Sequence, residues 1–158
     1  MVKRLKEFLD QHSIKYQIIT HSVAYTSQEI AAMAHIPGQC MAKVVIIKAD
    51  DKMFMAVLPA SHVVDFRRIQ EIYGSNHVEL AIESQYSSLF EDCEPGAMPP
   101  FGNLYNLKVY VSTSLSEDEQ IVFNAGSHRE LIKLYYKDFD RLVKPQTAAF
   151  SIKDSQRT

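Results

Sequence analysis

Three short stretches hold residues that could do chemistry together. The first, "EDCEPGAMPPFGNLY" at residues 91–105, gathers three of the chain's six prolines and two of its five glycines. Glycine opens backbone conformations closed to other residues and lets a ligand approach the main chain. Proline fixes its own dihedral and restricts the residue before it. A segment combining them can aim several N–H groups in one direction, forming a nest for an anion or for a carbonyl oxygen gaining negative charge. Gly96, Ala97 and Met98 each carry an N–H and Pro99 and Pro100 do not, so the candidate donors sit at 96–98 with the prolines as a splint. The same composition also suits a loop that merely joins two elements rigidly.

The second stretch, "AKVVIIK", places Lys43 ahead of four aliphatic residues. A lysine at a strand end can snorkel to water, or hold a phosphate as a point charge. The third, "FNAGSHRE", sets Asn124, Gly126, Ser127 and His128 just after an apolar strand. Small residues there make room, while Asn and His offer hydrogen bonds; His128 alone reads equally well as an ordinary core or surface histidine. His21, just before a helix start, is a further candidate for the same pocket. Glu91, Asp92 and Glu94 form an acidic cluster that is either solvated or available to a substrate ammonium.

The elements that must position these groups follow from periodicity and punctuation. Val2, Leu5, Phe8 and Leu9 have helical spacing, predicting a helix over 2–12, and "IKYQIIT" reads as a strand over 14–20. Thr26 with Glu29 three residues on is a capping-box pattern, which places a helix at 27–35 before "IPG". Two β-branched runs broken by Asp50-Asp51 predict a hairpin with strands at 42–49 and 53–58. Ser61 is the expected cap of a helix over 62–73 that Gly74 ends. A short strand at 78–81, a short helix at 84–90, strands in "LKVYVS", "EQIVFNAG" and "HRELIKLYY", and a helical turn in "KDFDRLV" complete the order. The expectation is an α+β fold with a mixed, largely antiparallel, barrel-like central sheet flanked by helices. Residues 1–150 form one domain and 151–158 a polar, flexible tail.

Composition narrows the function classes. With 158 residues, 46% of them hydrophobic and 23% charged, the chain suits one soluble globular domain. No apolar run reaches the length needed to cross a bilayer, and the charged N-terminal stretch lacks a signal peptide's apolar segment. The cytoplasm is the expected location, which Cys40 and Cys93 fit. A net charge of −2 argues against gripping a long stretch of nucleic acid, DNA included, so any such contact is small and local. No HxxEH, HxH or CxxC spacing points to a metal, and no Rossmann or Walker fingerprint points to a nucleotide cofactor.

Taken together, "AKVVIIK", "PGAMPPFGNLY" and "FNAGSHRELI" resemble, in order and spacing, the YbaK-like aminoacyl-tRNA deacylases, relatives of the editing domain of bacterial prolyl-tRNA synthetase. "SQEIAA", "IPG", "VLPA" and "DFDRLV" extend the resemblance from about His21 to Pro145. In that family a lysine, a GxxxP loop and a downstream histidine line one pocket; by position they fall on Lys43, Gly96 to Pro100 and His128. The resemblance implies a free-standing domain that hydrolyses the ester of a small amino acid on a mischarged tRNA, with proline tRNA a candidate carrier. It implies no cofactor and no metal. It implies the aminoacyl-tRNA acceptor end as partner, with a synthetase as a further one. Lys43 would bind a phosphate of the terminal nucleotide, and the 96–98 backbone would take the scissile carbonyl. His128, with Asn124, would shape the amino-acid pocket or orient water; Gly126, Ser127, Pro100 and His21 would line it. A non-catalytic member of the same fold, binding a nucleotide, a metabolite or a regulatory partner, is the alternative reading.

Overall fold

The structure is a computed structural model and describes residues 1–20 and 36–156. Helix α1 (Lys3–Gln11) and strand β1 (Tyr16–Thr20) open the chain. The central feature is the hairpin of β2 (Ala42–Ala49) and β3 (Lys52–Pro59), in register from Ala42↔Pro59 to Ala49↔Lys52. Its turn puts Asp50 at φ +56°, a left-handed conformation that Asp tolerates. Strands β5 (Val78–Leu80), β6 (Val109–Ser112) and β9 (Gln146–Ala148) extend it into a five-stranded sheet of order β5-β2-β3-β6-β9, antiparallel on the β5 side and parallel on the β6 side. A second, antiparallel sheet has the order β1-β8-β7, with β7 at Gln120–Asn124 and β8 at Glu130–Tyr135. A third pairs β4 (His62–Val64) with β10 (Ser151–Lys153).

Side-chain alternation along β2 divides the interior. Ala42, Val44 and Ile46 turn towards a core holding Met55, Val57, Phe101, Phe123 and Phe139. Val45, Ile47 and Ala49 turn the other way, against Phe54, Ala56, Leu58, Tyr110 and Phe150. A strand buried on both faces needs apolar residues at every position, which accounts for the unbroken run Val44–Ile47. Helix α3 (Tyr136–Val143) closes the first core with Phe139, whose ring meets Phe101 edge-on at 5.6 Å.

The class is therefore mixed α+β, as expected. Every sheet ends in an edge strand, so the barrel-like closure is not found among the described residues. The helix at 62–73 needs a larger correction. Residues His62–Val64 are strand β4, and helix α2 spans Phe66–Tyr73. Asp65, not Ser61, caps it, its carboxylate accepting the N–H groups of Arg67 and Arg68. Val63 and Val64 are β-branched and find an open strand edge at β10, so pairing wins over helix there. Gly74 ends α2 at φ +82°, as its position implied. Beyond Phe150, which is fully buried, Ser151–Lys153 pairs with β4 and Asp154–Gln156 forms a 3-10 turn. The helix expected at 27–35 lies outside the described residues.

Candidate functional site

The loop at 94–98 is built by hydrogen bonds to its own backbone and to the turn between β7 and β8. The Ala97 N–H closes a turn on the Glu94 carbonyl at 3.0 Å, and Gly96 sits within it at φ +81°. The Glu94 N–H donates to the Gly126 carbonyl at 2.8 Å, and the Gly126 N–H returns to the Ala97 carbonyl at 3.0 Å. Gly126, at φ +98°, makes that exchange possible. His128, only 3% exposed, adds the third tie. Its Nε2 lies 2.6 Å from the Pro95 carbonyl oxygen, which can only accept, so Nε2 carries the proton. The imidazole packs on the open face of Gly96, where a Cβ would lie 3.6 Å from Cε1. Two segments about thirty residues apart in sequence are thus zipped into one unit.

This geometry narrows the proposed donors. The Ala97 N–H is spent within the turn, so it is withdrawn from the nest; the Gly96 and Met98 N–H groups make no intramolecular bond among the described residues. The Ser127 hydroxyl accepts the Arg129 N–H at 3.2 Å and so shapes the turn. Pro99 and Pro100 are buried behind the loop. His21 lies outside the described residues. Ile46, Phe54 and Met55 are plain core.

Lys43 stands on a different element. An isolated parallel bridge, Met41↔Val122, joins the start of β2 to β7. Lys43 and Asn124 each lie two residues beyond that pair, and period-two alternation keeps them on the face of their bridge partners. Met41 and Val122 pack there with Ala60 and Leu131, giving an apolar floor. Asn124 is 5% exposed, and its buried Oδ1 has no hydrogen-bond partner among the described residues. A buried acceptor left unsatisfied costs about 1–3 kcal/mol, so it calls for a donor. Lys43 is half-buried; burial lowers its pKa from the usual lysine value, and the Asp154 carboxylate opposes that shift. No described contact joins Lys43 directly to the 94–98 loop. They are linked through β7, which carries Asn124 and then turns into the segment bearing His128.

Glu91, Asp92 and Glu94 wall a cleft of 430 Å³ with Val2, Gly126 and Ser127, and the Glu94 carboxylate accepts the His128 N–H at 3.4 Å, so the acidic cluster adjoins the loop. A wall of that sign repels a phosphate ester, and Asp92 is already paired with Arg4 at 2.7 Å. Both cysteines are free thiols. Burial pushes the Cys93 thiol up to about 11, which removes it as a neutral-pH nucleophile.

Two groups near Lys43 had no sequence signal. His62, 6% exposed, bonds through Nδ1 to Ser151 Oγ at 2.8 Å. That hydroxyl continues to Ser112 Oγ at 2.6 Å, and Ser112 Oγ in turn meets Ser114 Oγ at 3.0 Å. Asp154 follows β10 and donates its N–H to the Ser61 carbonyl at 3.0 Å. These partners come from segments far apart in the chain, and neither spacing nor periodicity could have paired them.

Comparison with known proteins bears on the family and the fold. The family model described as the aminoacyl-tRNA editing domain matches residues 21–142. The chain is 26% identical over 156 aligned positions to the Multifunctional Ser/Thr-tRNA deacylase ProXp-y of Escherichia coli (strain K12), covering 94% of this chain and 91% of that protein. It is 23% identical over 161 positions to the Proline--tRNA ligase of Macrococcus caseolyticus (strain JCSC5402), covering 85% of this chain but only 28% of the ligase. Among solved structures, hypothetical protein APE2540 superposes with a TM-score of 0.85 at 16% identity, over 95% of this chain and all of that one, which establishes the shared fold. With a family match spanning most of its length, and with the loop and the histidine of the motif meeting in space, the chain belongs to the aminoacyl-tRNA editing domain family.

Proposed function

We propose that this chain is a trans-acting deacylase that hydrolyses the ester between a small amino acid and the terminal adenosine of a mischarged tRNA. One observation carries the reading: the 94–98 loop, tied to Gly126 and His128, leaves the Gly96 and Met98 N–H groups without an intramolecular partner among the described residues. An aminoacyl ester is already activated, so the protein needs to hold its carbonyl and place a water. Water adds to the carbonyl carbon, negative charge gathers on the carbonyl oxygen, and the ribose oxygen leaves with a proton. Each N–H aimed at that oxygen supplies about 2.7–4 kcal/mol of transition-state stabilisation. The neighbouring ribose hydroxyl assists the water.

The remaining groups position the substrate. Lys43 anchors a phosphate of the terminal nucleotide. Asn124 Oδ1 accepts a donor from the aminoacyl group, and Gly126, whose missing Cβ leaves room for Val2, holds the turn that ties the loop beside the substrate. His128, with Nε2–H given to Pro95, braces the loop and forms the pocket wall. Small pockets are what editing requires, since one methylene changes binding by only about 1–3 kcal/mol and a synthetase cannot reject a slightly smaller amino acid by affinity alone. A small footprint on the acceptor end fits the near-neutral net charge of −2. The reading places the chain in the cytoplasm, acting on released aminoacyl-tRNA or beside a synthetase, with proline tRNA as one carrier.

The test is a panel of alanyl-, seryl-, threonyl- and prolyl-tRNAs, each followed for ester loss with and without the protein. Shortened half-lives for the small residues, with the cognate ester spared, support the reading. Unchanged half-lives across the panel would leave a binding module on an editing fold.

A further inference from the structure

The sheet of β1, β8 and β7 turns one face into the first core, through Ile121, Phe123, Ile132 and Leu134. The opposite face carries Asn124, and the strand register sets its residues in rows. The first row is Ile19, Leu131 and Asn124, part of the apolar floor with its buried amide. The second, about 7 Å further along the strands, is Gln17, Lys133 and Val122. The third sets Tyr135 beside Gln120, and Lys15 extends that row one residue past the Tyr16↔Leu134 pair. A cleft of 240 Å³ opens over the last two rows, lined by Lys15, Gln17, Gln120, Lys133 and Tyr135. Lys15 and Gln17 are exposed, and Tyr135 is 38% exposed. The Lys137 ammonium lies 5.5 Å from the centre of the Tyr135 ring. Tyr16 also borders the cleft, but its hydroxyl is given to Asp10 at 3.0 Å, so Tyr135 is the aromatic face on offer.

We propose that these two rows are the track on which the single-stranded nucleotides preceding the terminal adenosine lie, with Lys133 and Lys15 against phosphates and a base stacked on the Tyr135 ring. The track rests on the deacylase reading above and extends it from the terminal nucleotide to the strand behind it. Continuity favours this occupant. Asn124 and Gln120 stand four residues apart on one strand, about 13 Å, which spans three or four nucleotides at a stacked spacing of about 3.4 Å. Charge favours it as well. The described lining of this cleft holds two lysines and no carboxylate, whereas the cleft at the turn end of the same sheet is walled by Glu91, Asp92 and Glu94. An exposed aromatic ring among lysines and carboxamides is the chemistry that holds single strands, through stacking and attraction to the backbone. On the far side of Tyr135, Asp118, Glu119 and Asp140 line a separate cleft with Lys137, and their charge confines an RNA strand to the lysine side. A track of two rows is short, in keeping with the net charge of −2.

The experiment measures binding of two non-hydrolysable 3′-amide mimics carrying serine to the full chain, one built on adenosine 5′-monophosphate alone and one on the single strand CCA. The quantity read is the affinity gained on lengthening. In the wild type that gain should be about tenfold or more and should shrink as salt rises. Tyr135→Ala should cut it about fivefold or more, while Tyr135→Phe, which keeps the ring, should retain it. Lys133→Ala should cut it about threefold and lower the salt slope by about one. Lys3→Ala, which removes an exposed lysine of α1, should leave it unchanged. No gain in the wild type, a gain that survives in both Tyr135→Ala and Lys133→Ala, or an equal loss in Lys3→Ala overturns the track and leaves the deacylase reading in place. A wild type that binds neither mimic overturns that reading, and the track with it.

Discussion

The zipped loop and the Lys43 corner are held by opposite means. At 94–98 and 126–128 the ties are short backbone hydrogen bonds, two glycines at positive φ and one imidazole given to a carbonyl. Around Lys43 they are side-chain charges and a chain of hydrogen bonds that runs from the His62 imidazole of β4 to the hydroxyls of Ser151 on β10 and Ser112 on β6. The first arrangement holds the loop through its own main chain, the kind of support that the proposed oxyanion site requires. The second sets the charge state and direction of a flexible side chain, which is enough for holding a phosphate. One region is therefore intolerant of change in the main chain, and the other responds to change in charge.

The sharpest way to break this contrast is Gly96→Val. No atom blocks the new Cβ, since the nearest is 3.6 Å away, so the penalty is conformational: a β-branched residue at φ +81°. That strain costs about 1–3 kcal/mol and is relieved only by moving the loop. Loss of even one aimed donor should lower the single-turnover rate about 100-fold or more. A rate near wild type would show that the loop is only a splint. Next comes Lys43→Ala, for which loss of a charged hydrogen bond worth about 1.5–3 kcal/mol predicts a 10- to 100-fold drop in kcat/KM. Because Lys43 loses its proton more easily than an ordinary lysine, the wild-type advantage is full at low pH and fades as pH rises through the lowered pKa. A Lys43-dependent rate that persists at high pH would contradict the charged role.

His128→Ala should act on both rate and fold. It strands the Pro95 carbonyl and opens space against Gly96, for a cost of about 1–3 kcal/mol seen as a lower Tm. If the Tm holds and only the rate falls, the imidazole serves the substrate rather than the loop. Arg4→Ala is the smallest effect and the control. Arg4 pairs with Asp92 at 2.7 Å and lies 4.5 Å from the centre of the Tyr105 ring, in a partly exposed setting. About 0.5–1 kcal/mol of stability should go, with kcat/KM unchanged.

The same contrast governs what could be read from the sequence. Gly96, the prolines and His128 announce themselves because backbone control requires particular residue types at fixed spacing. The hairpin at 42–59 was equally plain, its two β-branched runs meeting at Asp50-Asp51. Ala97 was misjudged as a donor because a nest and a turn share one composition, and only coordinates show which N–H is spent. The start of α2 was misplaced because Ser61 and Asp65 both suit a cap, and β10, which decides between them, lies almost ninety residues away. Strands of three residues such as β4 and β10 carry too few positions for alternation to register. His62 and Asp154 were invisible for the same reason: their importance comes from neighbours, not from their own type or spacing.

The most direct test of the central claim uses a non-hydrolysable mimic, an adenosine 5′-monophosphate bearing the amino acid through a 3′-amide, titrated into isotope-labelled protein. The Gly96 and Met98 amides, the Asn124 carboxamide and the Lys43 ammonium should shift together with one saturable affinity, while the Cys93 and Lys137 amides stay in place. Lys43 and Asn124 responding while the two loop amides remain still would contradict the account, because the site would then bind its ligand without presenting an oxyanion hole.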